Sequence, residues 1–242
     1  MYEGNRTVNG QAAREGNAEL MELRRLPPPD GIADTVYETL RDAIFSGAVP
    51  PGSKLSVPAI AVRLGVSRSP VREAVLRLKQ EQLANYEPRR GAVVANIGAR
   101  GLASLYEVRS ALEGLATRLA VERAGPNFVE DLQGLLAEHR RAVERADLRA
   151  HREADIRFHR RVRQESGNSD LRDMLDQIET RVRLAMVTTS VTSGPERALK
   201  DHTSILEAIR SGDPEKAEAQ ARKHIDRLRS SLLETMTREQ DP

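Results

Sequence analysis

Leu64-Gly65-Val66-Ser67-Arg68-Ser69-Pro70-Val71-Arg72-Glu73-Ala74 reads as a tight turn followed by the start of a helix. Either Ser67 or Ser69 can cap that helix, because a short side-chain oxygen accepts from the unpaired N–H groups of a first turn. Pro70 falls in the same turn, where its missing N–H costs nothing. With either cap, Arg68, Ser69 and Arg72 project from the N-terminal turns. Val71, Val75, Leu76 and Leu78 supply the apolar side that seats the helix. In a helix-turn-helix, this end of the second helix enters the major groove. Arginine there can make a two-pronged contact with guanine, and serine can donate or accept.

The flanks extend this reading. Leu83–Glu87 and Ala92–Ala95 are strand-like runs on either side of Pro88-Arg89-Arg90-Gly91. Proline and glycine bracket a tight turn with both arginines at its tip. Such a wing is presented to phosphate or to the minor groove. Upstream, Val36, Leu40, Ala43 and Ile44 make a helical stripe over Asp34–Ser46, and Pro58–Leu64 is the first helix of the helix-turn-helix. The candidate DNA contacts are therefore Ser67, Arg68, Ser69, Arg72, Arg89, Arg90 and Gly91.

Pro51-Gly52-Ser53-Lys54-Leu55, the opening stretch and Arg89-Arg90-Gly91-Ala92 together resemble the GntR family of bacterial transcription regulators, over roughly Thr35 to Ala95. Two departures stand out: Val57-Pro58 occupies a place where many relatives carry a charged residue, and Gln82 replaces a common glycine before the wing.

Composition limits the remaining choices. A chain of 242 residues suits one large or two ordinary domains. The absence of cysteine excludes a disulfide framework and any thiolate metal site. No apolar run reaches the length of a membrane span and no signal-peptide pattern opens the chain, so a cytoplasmic protein without membrane contact is expected. Aromatic residues make up 3% and tryptophan is missing, which argues against stacking recognition of single strands. The slight positive excess falls in the helix-turn-helix segment. The expected fold is mainly α: a flexible arm over residues 1–29, a winged helix-turn-helix over 30–97 and an all-α antiparallel bundle of about six helices over 98–242.

The bundle helices are placed near 100–123, 127–146, 148–166, 170–189, 195–211 and 214–238, with Gly125-Pro126, Gly167-Asn168, Gly194-Pro195 and Gly212-Asp213-Pro214 between them. Helical spacing then places ionisable residues on apolar faces. Arg109 lies within the stripe Leu102, Leu105, Leu112 and Ala116. Asp155 and His159 share a face with Phe158 and Val162. His202 accompanies Leu199, Ile205, Leu206 and Ile209, and His224 accompanies Ala217, Ala221 and Leu228. One histidine on such a face is usually a hydrogen-bonded core residue. One carboxylate and three imidazoles on three helices make the ligand set of a divalent metal: Asp155, His159, His202 and His224. Zinc leads nickel and manganese for that set. His139 and His151 belong to no such set and are read as solvated, and Arg140-Arg141 and Arg160-Arg161 as charged outer faces. Arg109 has no acidic partner on its own stripe and needs an anion.

Asp155-x-x-x-His159, His202 and His224-Ile225 also resemble the FCD effector domain of the FadR subfamily of GntR regulators, over Leu102 to about Leu233. The resemblance implies the same four metal ligands and an effector-facing Arg109. The expected protein is a transcription regulator and not an enzyme, acting as a homodimer on pseudo-palindromic operator DNA and released by a small carboxylate effector. A purely structural metal, or a metal-dependent hydrolase, is the competing reading.

Overall fold

The computed structural model describes residues 31–187 and 194–240, with side chains through 234; the arm read from residues 1–29 lies outside them. The chain opens with α1 (Ile32–Phe45), which buries Ala33, Val36, Tyr37, Leu40 and Ile44 along one stripe. Next come α2 (Val57–Leu64) and α3 (Arg68–Gln80), joined through Gly65 at φ 66°, a left-handed conformation that a side chain would strain. Ser67 takes the cap position of α3, although its side chain makes no capping bond. Val71, Ala74, Val75 and Leu78 face inward. Fully burying a valine or leucine contributes about 1.5–3 kcal/mol, and three of them here fix how the helix rolls on its domain. Leu76 departs from the expected seating. It shares a face with Arg72, one turn earlier, and is 54% exposed.

β1 (Ala84–Glu87) and β2 (Gly91–Val94) form an antiparallel hairpin with Glu87 opposite Gly91. The chain before α2 lies along β2: Leu55 N–H donates to Ala92 O at 2.8 Å and Val94 N–H to Ser53 O at 2.8 Å. This pins the wing to the Pro51-Gly52-Ser53-Lys54-Leu55 segment. Gln82 has φ 59° at the turn out of α3, which explains why glycine suits this place.

The helical unit contains α4 (Ala99–Glu122), α5 (Phe128–Glu144), α6 (Leu148–Glu165), α7 (Ser169–Met186), α8 (Pro195–Arg210) and α9 (Pro214–Gln240). Asp147 caps α6 by accepting from the N–H groups of Arg149 and Ala150, and Asn168 caps α7 by accepting from Leu171 N–H. The apolar fill forms two main blocks. One joins Phe128, Leu132, Phe158, Val162, Ile205 and Ile209, and the other joins Leu105, Tyr106, Ile178, Val182 and Ile225. α7 also reaches the DNA-binding unit, because Leu184 is fully buried in the core built from α1 and α3. Beside it the Arg183 guanidinium lies over the Phe45 ring at 4.1 Å. Among the described residues no helix is long and apolar enough to cross a membrane.

Candidate DNA interface and buried histidine centre

Arg68, Ser69 and Arg72 are exposed on the outer face of α3, and neither arginine makes an ion pair among the described residues. A groove between α3 and the wing is lined by Lys54, Arg72, Lys79, Arg89 and Arg90 and by no carboxylate. Four of these cations, Lys54, Arg72, Lys79 and Arg89, make no ion pair among the described residues, and such a surface suits a polyanion. The two wing arginines differ. Arg90 turns back, donating to Glu87 Oε2 at 2.6 Å and to Gly52 O at 3.1 Å. Arg89 has no such anchor and stands at the tip with φ 67°.

In the bundle, α6, α8 and α9 bring His159, His202 and His224 together, with one nitrogen of each within 4.8 Å of the others. His202 Nε2 lies 3.2 Å from His159 Nε2, and the buried Nε2 of His224 has no partner among the described residues. The remaining nitrogens of two of these rings look toward carboxylates: His224 Nδ1 is 2.9 Å from Asp201 Oδ2, and His159 Nδ1 is 3.9 Å from Glu113 Oε2. A carboxylate that accepts from Nδ1–H leaves Nε2 as a lone pair, the usual support of a histidine metal ligand, and Asp201 is within hydrogen-bond reach of His224 for that role. Asp155 comes from the His202 side, with Oδ1 3.4 Å from His202 Nε2 and its side chain 33% exposed. The cluster could therefore hold a divalent metal.

Burial sets the charges here. It pushes His224 down to about 4, against the pull of Asp155, and holds His159 and His202 well below their ordinary value, with the neighbouring imidazoles and then Arg109 adding to the effect. Burial raises the Asp155 carboxyl, although His224 and Arg109 oppose it. At neutral pH the imidazoles are uncharged and free to donate electron pairs.

Two expectations need correction. Arg109 is 8% exposed, as its stripe requires, but it does have an acidic neighbour. Glu113, one turn on and 2% exposed, places Oε1 3.5 Å from Arg109 Nε. That carboxylate is chiefly engaged elsewhere. Arg163, 2% exposed, donates to it at 2.6 Å and also to Glu179 at 2.5 Å and Asp176 at 3.2 Å. Burial would raise Glu113, but Arg163 and then Arg109 outweigh burial and hold it below the usual carboxylate range. The Nε of Arg109 is left buried without a hydrogen bond.

The second correction concerns His139 and His151, which are 1% and 8% exposed and not solvated. His139 Nε2 meets His151 Nδ1 at 2.7 Å. Leu135, Leu136 and Ala142 occupy the same inward stripe as His139, and His151 precedes Asp155 by one turn, so spacing carried both signals. Glu113 and Arg163 were legible in the same way, one turn beyond Arg109 and His159. Arg160 lies on the outside as expected, whereas Arg161 is half-buried between Asp131 and Glu165.

Comparison with known proteins agrees with both halves. Residues 32–94 match the bacterial regulatory proteins of the gntR family and residues 104–227 match the FCD domain. The transcriptional repressor RspR of Escherichia coli is 28% identical over 209 residues, 86% of this chain and 92% of that protein. An HTH-type transcriptional regulator of Mycobacterium tuberculosis is 30% identical over 220 residues, 82% of this chain and 89% of its own. The E. coli McbR/YncC structure superposes with a TM-score of 0.65 at 25% identity, covering 85% of this chain and 98% of that one. These relatives and both matched domains are transcriptional regulators and not enzymes. The chain belongs to the GntR family of transcriptional regulators, with an FCD domain following its winged helix-turn-helix.

Proposed function

We propose that this regulator is a homodimeric repressor whose grip on operator DNA is weakened by a small organic acid bound between Arg109 and a divalent metal. The metal is held by His159, His202 and His224 with Asp155. The observation that carries the reading is the buried Arg109 guanidinium, which has an unbonded Nε beside three uncharged imidazoles. A guanidinium cannot lose its charge, and Glu113 is already held by Arg163. An incoming carboxylate would supply two acceptors to that fork and one oxygen to the metal. Bound there, the metal supplies a Lewis-acidic anchor; zinc, nickel or manganese suits the nitrogen and oxygen set.

DNA recognition falls to Arg68 and Arg72, with Ser67 and Ser69 at the helix start. Arg89, Arg90 and Gly91 shape the wing, with Arg89 the freer cation. One winged helix reads few base pairs, so two copies are needed for a specific site. Gly101, Ser104, Val108, Ala111 and Leu115 run along the exposed side of α4 at alternating steps of three and four, a stripe suited to packing against its own symmetry mate. The unit boundaries follow the same division: an arm over 1–29, the DNA-binding unit over 30–97 and the effector unit over 98–242.

Two links can carry the signal. α4 leaves the wing through Gly98, and α7, bonded to α6 through Arg163 and Glu179, buries Leu184 in the DNA-binding core. An acid that binds one arrangement of these helices better than another shifts the dimer between them. The test is operator release across a panel of small hydroxy and sugar acids, with and without chelator. Wild type should respond to at least one acid only when metal-loaded, and Arg109→Ala should keep its DNA affinity and lose the response. An unchanged response in Arg109→Ala would refute the assignment.

A further inference from the structure

All five histidines of the chain converge in one core, yet the centre described above uses only three. The other two, His139 on α5 and His151 on α6, are buried with facing nitrogens 2.7 Å apart. Two nitrogens bound to one metal at 2.0–2.1 Å stand roughly 3 Å apart, so this spacing needs little adjustment to become a ligand pair. As a simple hydrogen-bonded pair it is poorly satisfied: His139 Nδ1 is buried and has no partner among the described residues. Burial, then the neighbouring His151, pushes His139 down to about 4, so the pair is uncharged at neutral pH.

Position supplies the third ligand. His151, Asp155 and His159 follow one another at intervals of four along α6, which places them in a row on one face. Asp155 stands between the two histidines, with Oδ1 3.4 Å from His202 Nε2 and near enough to His151 for its charge to oppose the effect of burial on that ring. The His139 and His202 rings are 5.2 Å apart between centroids, so the pair abuts the three-histidine centre. A carboxylate with two oxygens between two sets of imidazoles is the ordinary means by which neighbouring metals share a ligand.

We propose that His139, His151 and Asp155 form a second divalent-metal position, sharing Asp155 with the centre of His159, His202 and His224. Two imidazoles and one carboxylate select a first-row transition metal such as zinc, cobalt, nickel or copper, and disfavour magnesium and calcium. The partial exposure of Asp155 gives the ion a way in. The inference rests on the metal reading of the three-histidine centre, and the test separates the two.

The full chain, stripped with chelator, is titrated with Co²⁺ and followed by visible absorbance. Zinc content is then measured after saturation and desalting. Wild type should take up two equivalents per chain. His151→Asn and His139→Gln should each lose one and keep the other, His224→Asn should lose the other one, and Asp155→Asn should weaken both. Far-UV circular dichroism identifies any variant that fails to fold, and the wild-type stoichiometry decides without it. One equivalent in wild type, surviving His151→Asn, overturns the second position and leaves the proposed function intact. Two equivalents that both survive His151→Asn and His139→Gln also overturn it, and no uptake by wild type overturns both readings.

Discussion

The two halves of the molecule use arginine in opposite ways. On α3 and the wing, Arg68, Arg72 and Arg89 point outward with no acidic partner among the described residues. In the bundle, Arg163 is buried and bonded to three carboxylates, and Arg109 is buried beside one that it shares. Unpaired cations on the surface cost little, because water solvates them, and they remain available to a phosphate backbone. A buried cation must be matched or it destabilises the fold. Replacements should therefore damage binding in the first region and folding in the second, while Arg109 is placed to affect the effector response.

The largest effect is expected at the buried pair. Arg163→Met removes one partner and leaves the Glu113 carboxylate in the core with Arg109 alone. Breaking a buried pair from one side typically costs about 3–5 kcal/mol. Urea unfolding of the metal-free protein should show a loss of that size, and Glu113→Leu added to Arg163→Met should recover most of it. A loss below about 1 kcal/mol would mean that the pair is solvated and that the two regions do not differ as described.

The buried histidines come next. For His139 and His224 the unfolded chain titrates near 6.5 and the folded chain near 4, so as pH falls the unfolded state takes up protons first. These two histidines should accordingly lower the stability of the metal-free protein between about pH 6.5 and 4, by up to about 3 kcal/mol each, and His159, His202 and Glu113, all held below their ordinary values, should extend the loss as pH falls further. Asp155, which burial raises, titrates the other way and offsets part of this. Thermal unfolding across that range is the check. A flat profile would show that the imidazoles are open to water.

Arg68→Ala or Arg72→Ala should weaken operator binding by about 1–3 kcal/mol and relax the preference at one base position, without changing the melting temperature. Operator binding at fixed salt measures the first, and a panel of single-base operator variants the second. Wild-type affinity in both variants would remove α3 from base recognition.

What the sequence made readable follows from the same division. The recognition helix and wing were visible because their signals are local: Gly65, Pro70 and the Pro88–Gly91 turn each constrain the backbone directly. The three imidazoles were visible because helical spacing fixes which face a residue takes. Spacing does not say which residue on another helix meets it. Glu113 faces Arg163 across fifty residues, and His139 meets His151 through the hairpin of α5 and α6. Those pairings depend on how the helices roll against one another, and so His139 was misread as solvated and Arg109 as unpartnered. Leu76 was misplaced for the opposite reason. It is apolar yet shares the outward face with Arg72, a position that local hydrophobicity alone assigns to the core.

The smallest effect isolates the contrast in a single backbone conformation. Gln82 and Arg89 both hold left-handed φ values, 59° and 67°, in the DNA-binding unit. A non-glycine residue pays roughly 1–2 kcal/mol for this conformation, and glycine avoids that cost while losing part of the gain to the greater freedom of its unfolded chain. Gln82→Gly and Arg89→Gly should therefore each stabilise the unit by about 0.5–1 kcal/mol. Their effects on DNA should differ. Gln82 closes the turn out of α3, and its replacement should leave operator affinity unchanged. Arg89 carries the free cation of the wing, so Arg89→Gly should weaken binding across all sequences and lower the slope of log affinity against log salt by about one. If both variants gained stability and neither changed the salt slope, the wing would not meet phosphate, and the strain at Arg89 would have no counterpart in binding.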